Sequence, residues 1–515
     1  DARAETLTHA WRATCGPATA ARDAASAREC VAYAAAAFDD LADALARGDA
    51  LVAEHAPTLL LLLASETACG PSTSSIDAVS HGWPHDVAAV LSAIQAGQTQ
   101  HGRVLVRALR EAAKRDGDQR RLALTHWLDA TAARKADDPG AEVLLRQAVE
   151  AAAAAGTAGV EFLSALDLAS LLVARGDNNG ARQWIRQAEA LASRLHESDL
   201  ARAKVLMAQA DVDRVTAHVE GAQRAAAQAL DILERNLGAA HPDTAQAHVT
   251  LGNIALLRGE RGTAQAELCG AETVLVDSKG TSHLATLEVA QRCAVTLLLL
   301  HPLEAHRRLT ALLPRYEGVV GPDDARVASV LMHLGIAEKH LQNPVAAVER
   351  HLQADALYGR TRVPNHPGRV AVLANLGSAL LLSGQPDQAE VAYLRATALA
   401  NDVLGEGHPH TGQAWVGLAE ARLALDRTDA AIEAVERALE IQTKAGFVPA
   451  QLAETQTVLA EALIAARRDL PRARILARAA HATLSGRSVA TKEYARVTRL
   501  LATLDRVSPE RKPEP

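Results

Sequence analysis

Twenty histidines and five cysteines are the side chains of this 515-residue chain with the most chemistry to offer. A transition-metal site needs three or four imidazole, thiolate or carboxylate ligands converging on one point. His301 and His306 are five residues apart and would leave a helix on different faces; His333 and His340, seven apart, have no cysteine or carboxylate in ligand register between them. Solvated or hydrogen-bonded imidazoles are therefore expected, and no metal site. Acyl transfer would need a serine, histidine and aspartate around a strand-to-helix elbow, and none is present. The carboxylate pairs Asp39-Asp40 and Asp137-Asp138 are adjacent residues pointing apart on turns. Phosphoryl transfer would need a glycine-rich phosphate loop with His-Arg-Asp and Asp-Phe-Gly motifs, which are missing too. The expectation is a segment with no catalytic residue and no cofactor, not an enzyme.

The cysteines divide into two groups. Cys15, Cys30 and Cys69 fall in the first 75 residues, where a disulfide between two of them would tie helices together and fit an extracytoplasmic location. Free buried thiols are the alternative, because spacing cannot place two Cα atoms within bonding range. Cys269 and Cys293 occupy helical positions, where they are expected to pack as small apolar residues.

The elements that would position any site follow from a repeat. Leu251-Gly252, Ala264 and Ala271 recur as Leu334-Gly335, Ala347 and Ala354, as Leu376-Gly377, Ala389 and Ala396, and as Leu418-Ala419, Ala431 and Ala438. The small residues step by 83, 42 and 42, and Ala294 fills the gap of 83. The register continues backwards through Ala210, Ala169, Asp129 and Ala89 and forwards to Ala460. Small residues at fixed positions let two helix backbones approach, so each unit is a helix pair. In one unit Val249, Leu251, Ile254 and Leu257 give the apolar stripe of a first helix, and Ala264, Leu268, Ala271 and Leu275 that of a second. Such a pair buries its faces only by stacking on its neighbours.

The small residue, the two alanines and the bulky residue between them, filled by Leu268, Tyr393 and Val435, resemble the tetratricopeptide repeat. The period near 42 resembles its kinesin-light-chain-like subclass, as do the helix starts His241-Pro242-Asp243-Thr244, His366-Pro367 and His408-Pro409. Proline at the first helical position forgoes an N–H that has no partner there, and Asp243 complements the helix dipole. The resemblance implies an all-α, right-handed superhelical solenoid of about ten helix pairs. The expected organisation is an N-terminal helical segment over residues 1–75, a repeat array over 80–485, a capping helix over 488–506 and a disordered tail over 507–515.

The resemblance also implies where a ligand would bind, on the concave wall formed by the first helix of each pair. Its candidates are Lys204, Met207, Asp211 and Arg214, then Gln246, Val249 and Asn253, then Glu288 and Gln291. They continue with Ser329, Met332, Ile336 and Lys339, then Ala371, Ala374 and Ser378, then Gln413, Val416 and Glu420, and end with Glu454, Thr457 and Glu461. Relatives that clamp a C-terminal carboxylate pair a lysine with an asparagine, whereas Asn253 is paired here with Val249, so that clamp is incomplete. Amide side chains on such a wall can satisfy the backbone of an extended peptide with little sequence demand.

Charge and hydropathy restrict the other partners. Formal net charge is −7, with 54 basic and 61 acidic residues, and no dense basic stripe marks a nucleic-acid surface. The arginines between Arg472 and Arg478 are a short solvated helix face. The apolar runs Leu59 to Ala64 and Ala294 to Leu300 fall well short of the roughly 18 residues that cross a bilayer. The expected partner is a protein or peptide, with self-association left open.

The N-terminal segment carries a second resemblance. Trp11-Arg12-Ala13-Thr14-Cys15, Glu29-Cys30, the stretch Leu41-Ala42-Asp43-Ala44-Leu45-Ala46 and Thr67-Ala68-Cys69 are similar to the segment that joins kinase domain to repeat array in myxobacterial-type receptor serine/threonine kinases. That implies the sensing or docking half of a bacterial kinase whose catalytic domain lies outside this chain, on the far side of the inner membrane if a spanning helix precedes Asp1. The start at Asp1, without methionine or signal peptide, fits an excised segment. The other reading is a stand-alone or nucleotide-binding-domain-linked adaptor in bacterial signalling, located in the cytoplasm.

Overall fold

The computed structural model describes residues 40–41, 43–45, 50–63, 83–195, 198–216, 218–361, 365–445, 449–485 and 492–507. Among them every regular element is a helix. In chain order these are α1 (Ala50–Leu63), α2 (Trp83–Gln95), α3 (Thr99–Arg115), α4 (Gln119–Lys135), α5 (Ala141–Ala154), α6 (Ala158–Ala174), α7 (Asn178–Ala192), α8 (Ser198–Val215), α9 (Val219–Leu237), α10 (Pro242–Arg258) and α11 (Arg261–Lys279). They continue with α12 (Leu284–Leu297), α13 (Pro302–Val320), α14 (Ala325–His340), α15 (Pro344–Arg360), α16 (Pro367–Leu382), α17 (Pro386–Val403), α18 (Pro409–Ala424), α19 (Thr428–Ala445), α20 (Pro449–Ala465), α21 (Leu470–Ser485) and α22 (Lys492–Val507). The chain forms two compact units, one over residues 1–296 and one over 297–515.

Proline opens many of these helices, and the residue before it caps them in an unexpected way. His241, His366 and His408 accept the backbone N–H two residues on through Nδ1, at 3.0, 3.0 and 3.2 Å. An imidazole can do this only while Nδ1 is unprotonated, so these three His-Pro starts are caps built from neutral histidine, whereas His301 before Pro302 makes no such bond. Aspartates do the same work at Asp118 and Asp324, whose carboxylates accept from Arg120 and Arg121 and from Arg326.

Within each pair the helices cross at the small residues. A Cβ added at Gly252 would stand 2.6 Å from Leu268 Cγ, at Gly335 2.6 Å from His351 Cε1, and at Gly377 2.6 Å from Tyr393 Cε2. The alanines of the fingerprint, from Ala264 to Ala438, are buried to within 1 % of complete. In the first unit α2, α4, α6, α8 and α10 each touch the next along one side of the stack; α14, α16, α18, α20 and α22 do so in the second. Helix α1 packs against α2 and α6, and Val52, Leu59 and Leu62 join the core of the first unit. At the other end α22 packs on α20 and α21 through Val497, Leu500 and Leu504.

Arginine–carboxylate pairs about one repeat apart stitch neighbouring pairs together: Arg134 to Asp167, Arg395 to Asp355, Arg422 to Glu390 and Arg472 to Glu436. Where both partners are exposed such pairs add at most about 1 kcal/mol, so they set register more than stability.

The cysteines require a correction. Cys269 on α11 and Cys293 on α12 are not separate small apolar residues; they form a disulfide with Cα atoms 5.0 Å apart. The fingerprint places Cys269 beside the buried Leu268, at the edge where α11 meets the next first helix, and Cys293 is fully buried opposite. Cys15, Cys30 and Cys69, and the tail from 508, lie outside the described residues.

Candidate functional site

The first helices of the first unit, with Leu233 of α9, line a partly open pocket of about 280 Å³. Side chains from α2, α4, α6, α8 and α10 line it, and Thr58 of α1 reaches its edge. On one side Asp167 is fully engaged: Oδ2 accepts from Trp127 Nε1 at 2.9 Å and Thr131 Oγ1 at 2.8 Å, and Oδ1 accepts from Arg134 at 2.9 Å. Asp167 therefore fixes the tryptophan and the guanidinium in place. On the other side Lys204 Nζ stands 3.6 Å from Asp243 Oδ2, an ion pair too long for a hydrogen bond. Burial pushes the Asp243 carboxyl up, but Lys204, His241 and Lys279 outweigh it and hold the group below the ordinary carboxylate range. Lys279, at the end of α11, donates to Gln95 Oε1 of α2 at 2.9 Å, joining residues 184 positions apart around the cavity.

In the second unit the same side of the stack carries a line of charged and amide groups. Lys339 Nζ on α14 donates to Ser378 Oγ on α16 at 3.4 Å. Burial lowers the pKa of Lys339, and the Glu454 carboxylate of α20 partly restores it. Glu454 is itself raised, first by burial and then by Glu420, while Gln413 donates a hydrogen bond that opposes the rise. Arg496 of α22 bridges two carboxylates, Glu420 at 2.7 Å and Glu461 through Nε at 2.7 Å. Beneath this wall Tyr393 is raised by burial, with Glu420 and Glu454 adding to the rise. His333 is pushed down to about 4 and His351 to about 3, in both cases chiefly by burial.

Residues 326–402 and 369–444 match the family model for the tetratricopeptide repeat. These residues are tetratricopeptide repeats. Solved structures similar to the chain include a Rap protein complexed with competence and sporulation factor, 14% identical over 67% of this chain and 98% of that one, with TM-score 0.47. The nearly identical TPR-like repeats of a Podosopora anserina kinesin light chain are 20% identical over 40% of this chain and 99% of theirs, with TM-score 0.34. The Pseudomonas aeruginosa pilF protein is 18% identical over 50% of this chain and 98% of its own, with TM-score 0.33. No curated protein sequence matches the chain.

The structure sorts the residues expected on the inner tetratricopeptide wall. Lys204, Met207 and Gln246 meet in the first cavity. Lys339 and Ser378 meet in the second unit, as do Glu420, Glu454 and Glu461 around Arg496, with Gln413 beside Glu454. Asp211 and Arg214 pair with each other on α8 at 3.3 Å, and Asn253 accepts from Arg292 of the next first helix at 3.0 Å. Val249, Val416, Thr457 and Gln291 are buried in the packing and offer little to a ligand. Glu288, Ser329, Met332, Ile336, Ala371 and Ala374 are half-buried. Sequence reasoning missed Asp167, Arg496 and His351. The first could have been found from Trp127, Thr131 and Arg134, one repeat earlier, and the third from its place between Ala347 and Ala354, where the repeat demands a bulky residue.

Proposed function

We propose that this chain is a non-catalytic peptide-binding scaffold whose ligand lies along the inner wall of the second unit and presents a basic side chain to Glu420 and Glu454. The observation that carries this reading is the charge along the wall: three carboxylates, Glu420, Glu454 and Glu461, interact there with two cations, Lys339 and Arg496, and a fourth, Glu493, adds its negative charge beside Glu454. Glu454 is half-buried beside Glu420 with no cation hydrogen-bonded to it, and a ligand ammonium or guanidinium would offset the burial and the Glu420 and Glu493 charges that raise it. Ser378 and Gln413 would serve the peptide backbone. Such a groove prefers basic peptides and repels acidic ones.

This scaffold would serve as the sensor or docking region of a bacterial serine/threonine kinase, a reading supported by the cysteine-containing segment before residue 75. The disulfide between Cys269 and Cys293 adds support, because paired cysteines persist in oxidising compartments and a cytoplasmic adaptor would keep them reduced. Two measurements test the two levels separately. A peptide array scanned with lysine and arginine should show binding that E420Q and E454Q remove, and binding indifferent to both substitutions refutes the site. Codons for a kinase domain upstream of Asp1 would support the receptor role; a nucleotide-binding domain there, or a start codon alone, would favour the adaptor.

A further inference from the structure

The cavity of the first unit differs in kind from the open wall of the second. A peptide groove is continuous, whereas this space is limited to about 280 Å³, with α1 at its edge and its lining residue Gln95 held by Lys279 of α11. That volume lies just below the range of drug-sized ligand pockets and suits a molecule the size of one amino-acid residue. Its walls have two characters. Trp127, Leu163, Leu166 and Met207 present apolar surface. Lys204 and Asp243 present opposite charges side by side, 3.6 Å apart and not hydrogen-bonded to each other. An ion pair held just beyond bonding distance keeps ammonium donors and carboxylate acceptors available for a third party. Arg134 adds to this: one of its terminal nitrogens is spent on Asp167, while its buried Nε–H has no acceptor. Buried donors without acceptors are costly, and a bound carboxylate would satisfy this one.

We propose that this cavity binds a free amino acid with an apolar side chain, its carboxylate on Lys204 and the Arg134 Nε–H, its ammonium on Asp243, and its side chain against Trp127 and Met207. The two head groups of an α-amino acid are close together, as are the two protein charges, so a zwitterion completes a closed ring of four alternating charges. A ligand with only one of the charges leaves either Lys204 or Asp243 with less compensation than before. Asp167 takes no direct part; it is a positioning residue that aims Arg134 and Trp127.

Isothermal titration of the full chain with L-leucine and with L-phenylalanine tests the proposal. The expected result is saturable heat with one of them, and none with the corresponding amine or carboxylic acid that lacks the second charge. K204M and D243N should each weaken the affinity by about tenfold or more, with helical circular dichroism unchanged. M207W fills the cavity while leaving both charges in place, so loss of binding there supports the location even if a charge variant folds poorly. E420Q and E454Q should leave this heat unchanged, which separates the outcome from that of the peptide site. Absence of heat with both amino acids at millimolar concentration, or binding that survives K204M, D243N and M207W alike, overturns the proposal.

Discussion

Replacing His351 by leucine should stabilise the protein and remove part of its acid sensitivity. His351 fills the bulky position of its repeat, the place that Leu268 takes two repeats earlier, and both side chains meet the glycine of the facing helix at the same 2.6 Å from its hypothetical Cβ. The imidazole is completely buried and neither ring nitrogen has a hydrogen-bond partner. Leucine keeps the contact and removes two unsatisfied polar atoms, a gain of about 1–3 kcal/mol at neutral pH. The acid arm follows from the ring's pKa of about 3 in the folded chain against 6.5 unfolded. Between those values the unfolded chain binds the extra proton, so stability is full above 6.5 and is lost as pH falls toward 3. At pH 5 the loss is about 2 kcal/mol, at 1.36 kcal/mol per unit. His333, held at about 4 beside it, is present in both proteins and cancels to first order. A repeat array need not unfold in one step, so the assay is hydrogen exchange at the amides of α14 and α15, corrected for intrinsic rates, at pH 7 and pH 5. H351L should protect them more at pH 7 and lose less protection at pH 5. Lower protection at pH 7, or an undiminished acid loss, would show that the histidine has a role its contacts do not reveal.

Other perturbations test the same physics. G417A drives a methyl into the Tyr393 ring, which already packs on Gly377 from the other side, and should cost about 1–3 kcal/mol in thermal or denaturant unfolding; G262A, with nothing near its Cβ, should be neutral or gain up to about 1 kcal/mol. Reducing the Cys269–Cys293 disulfide, which closes a loop of sequence separation 24, should cost about 3 kcal/mol, read as lost exchange protection in α11 and α12 on adding a dithiol; no change would show that packing alone fixes their register. R496M removes the bridge between Glu420 and Glu461 and should loosen α22 by about 1–2 kcal/mol, as these side chains are a quarter to a third exposed. In the same variant the Glu454 carboxyl, raised by burial and Glu420 and no longer opposed by Arg496, should titrate higher still in a carbon-13 NMR titration.

The helix pairs were legible because their cause is local. Gly335, Ala347 and Ala354 sit where two backbones must touch, and only small residues permit that, so the pattern shows in the letters themselves. The same reasoning placed Lys204, Met207 and Gln246 on one wall, since one register position in successive repeats faces one side. It failed where the determining contact lies a whole repeat away. Whether position five of a first helix faces a ligand or the core depends on its neighbours, and Val249 and Val416 went to the core. Cys269 and Cys293 come from different repeats, and their bond depends on how two units stack, which the period alone does not state. The histidine caps were hidden for another reason. His-Pro reads as a proline signal, and the acceptor role of Nδ1 appears only when the backbone N–H two residues on is seen to point at it.

Those caps and the buried His351 make one argument about pH. Three caps accept through an unprotonated Nδ1, burial lowers His408 with His410 adding to the effect, and burial alone lowers His410. Each of these groups must stay neutral for the packing to hold, so protonation acts on helix starts and helix crossings together. Acid should therefore loosen the second unit before it affects α5 and α7, which begin at Gly140 and after the Asp177 cap and contain no histidine. Exchange protection followed from pH 7 to pH 4.5 should fall first in α14 to α18 and at the His241-capped start of α10, and later in α5 and α7. A uniform loss across both units would mean that carboxylate protonation, common to the whole chain, outweighs the histidines.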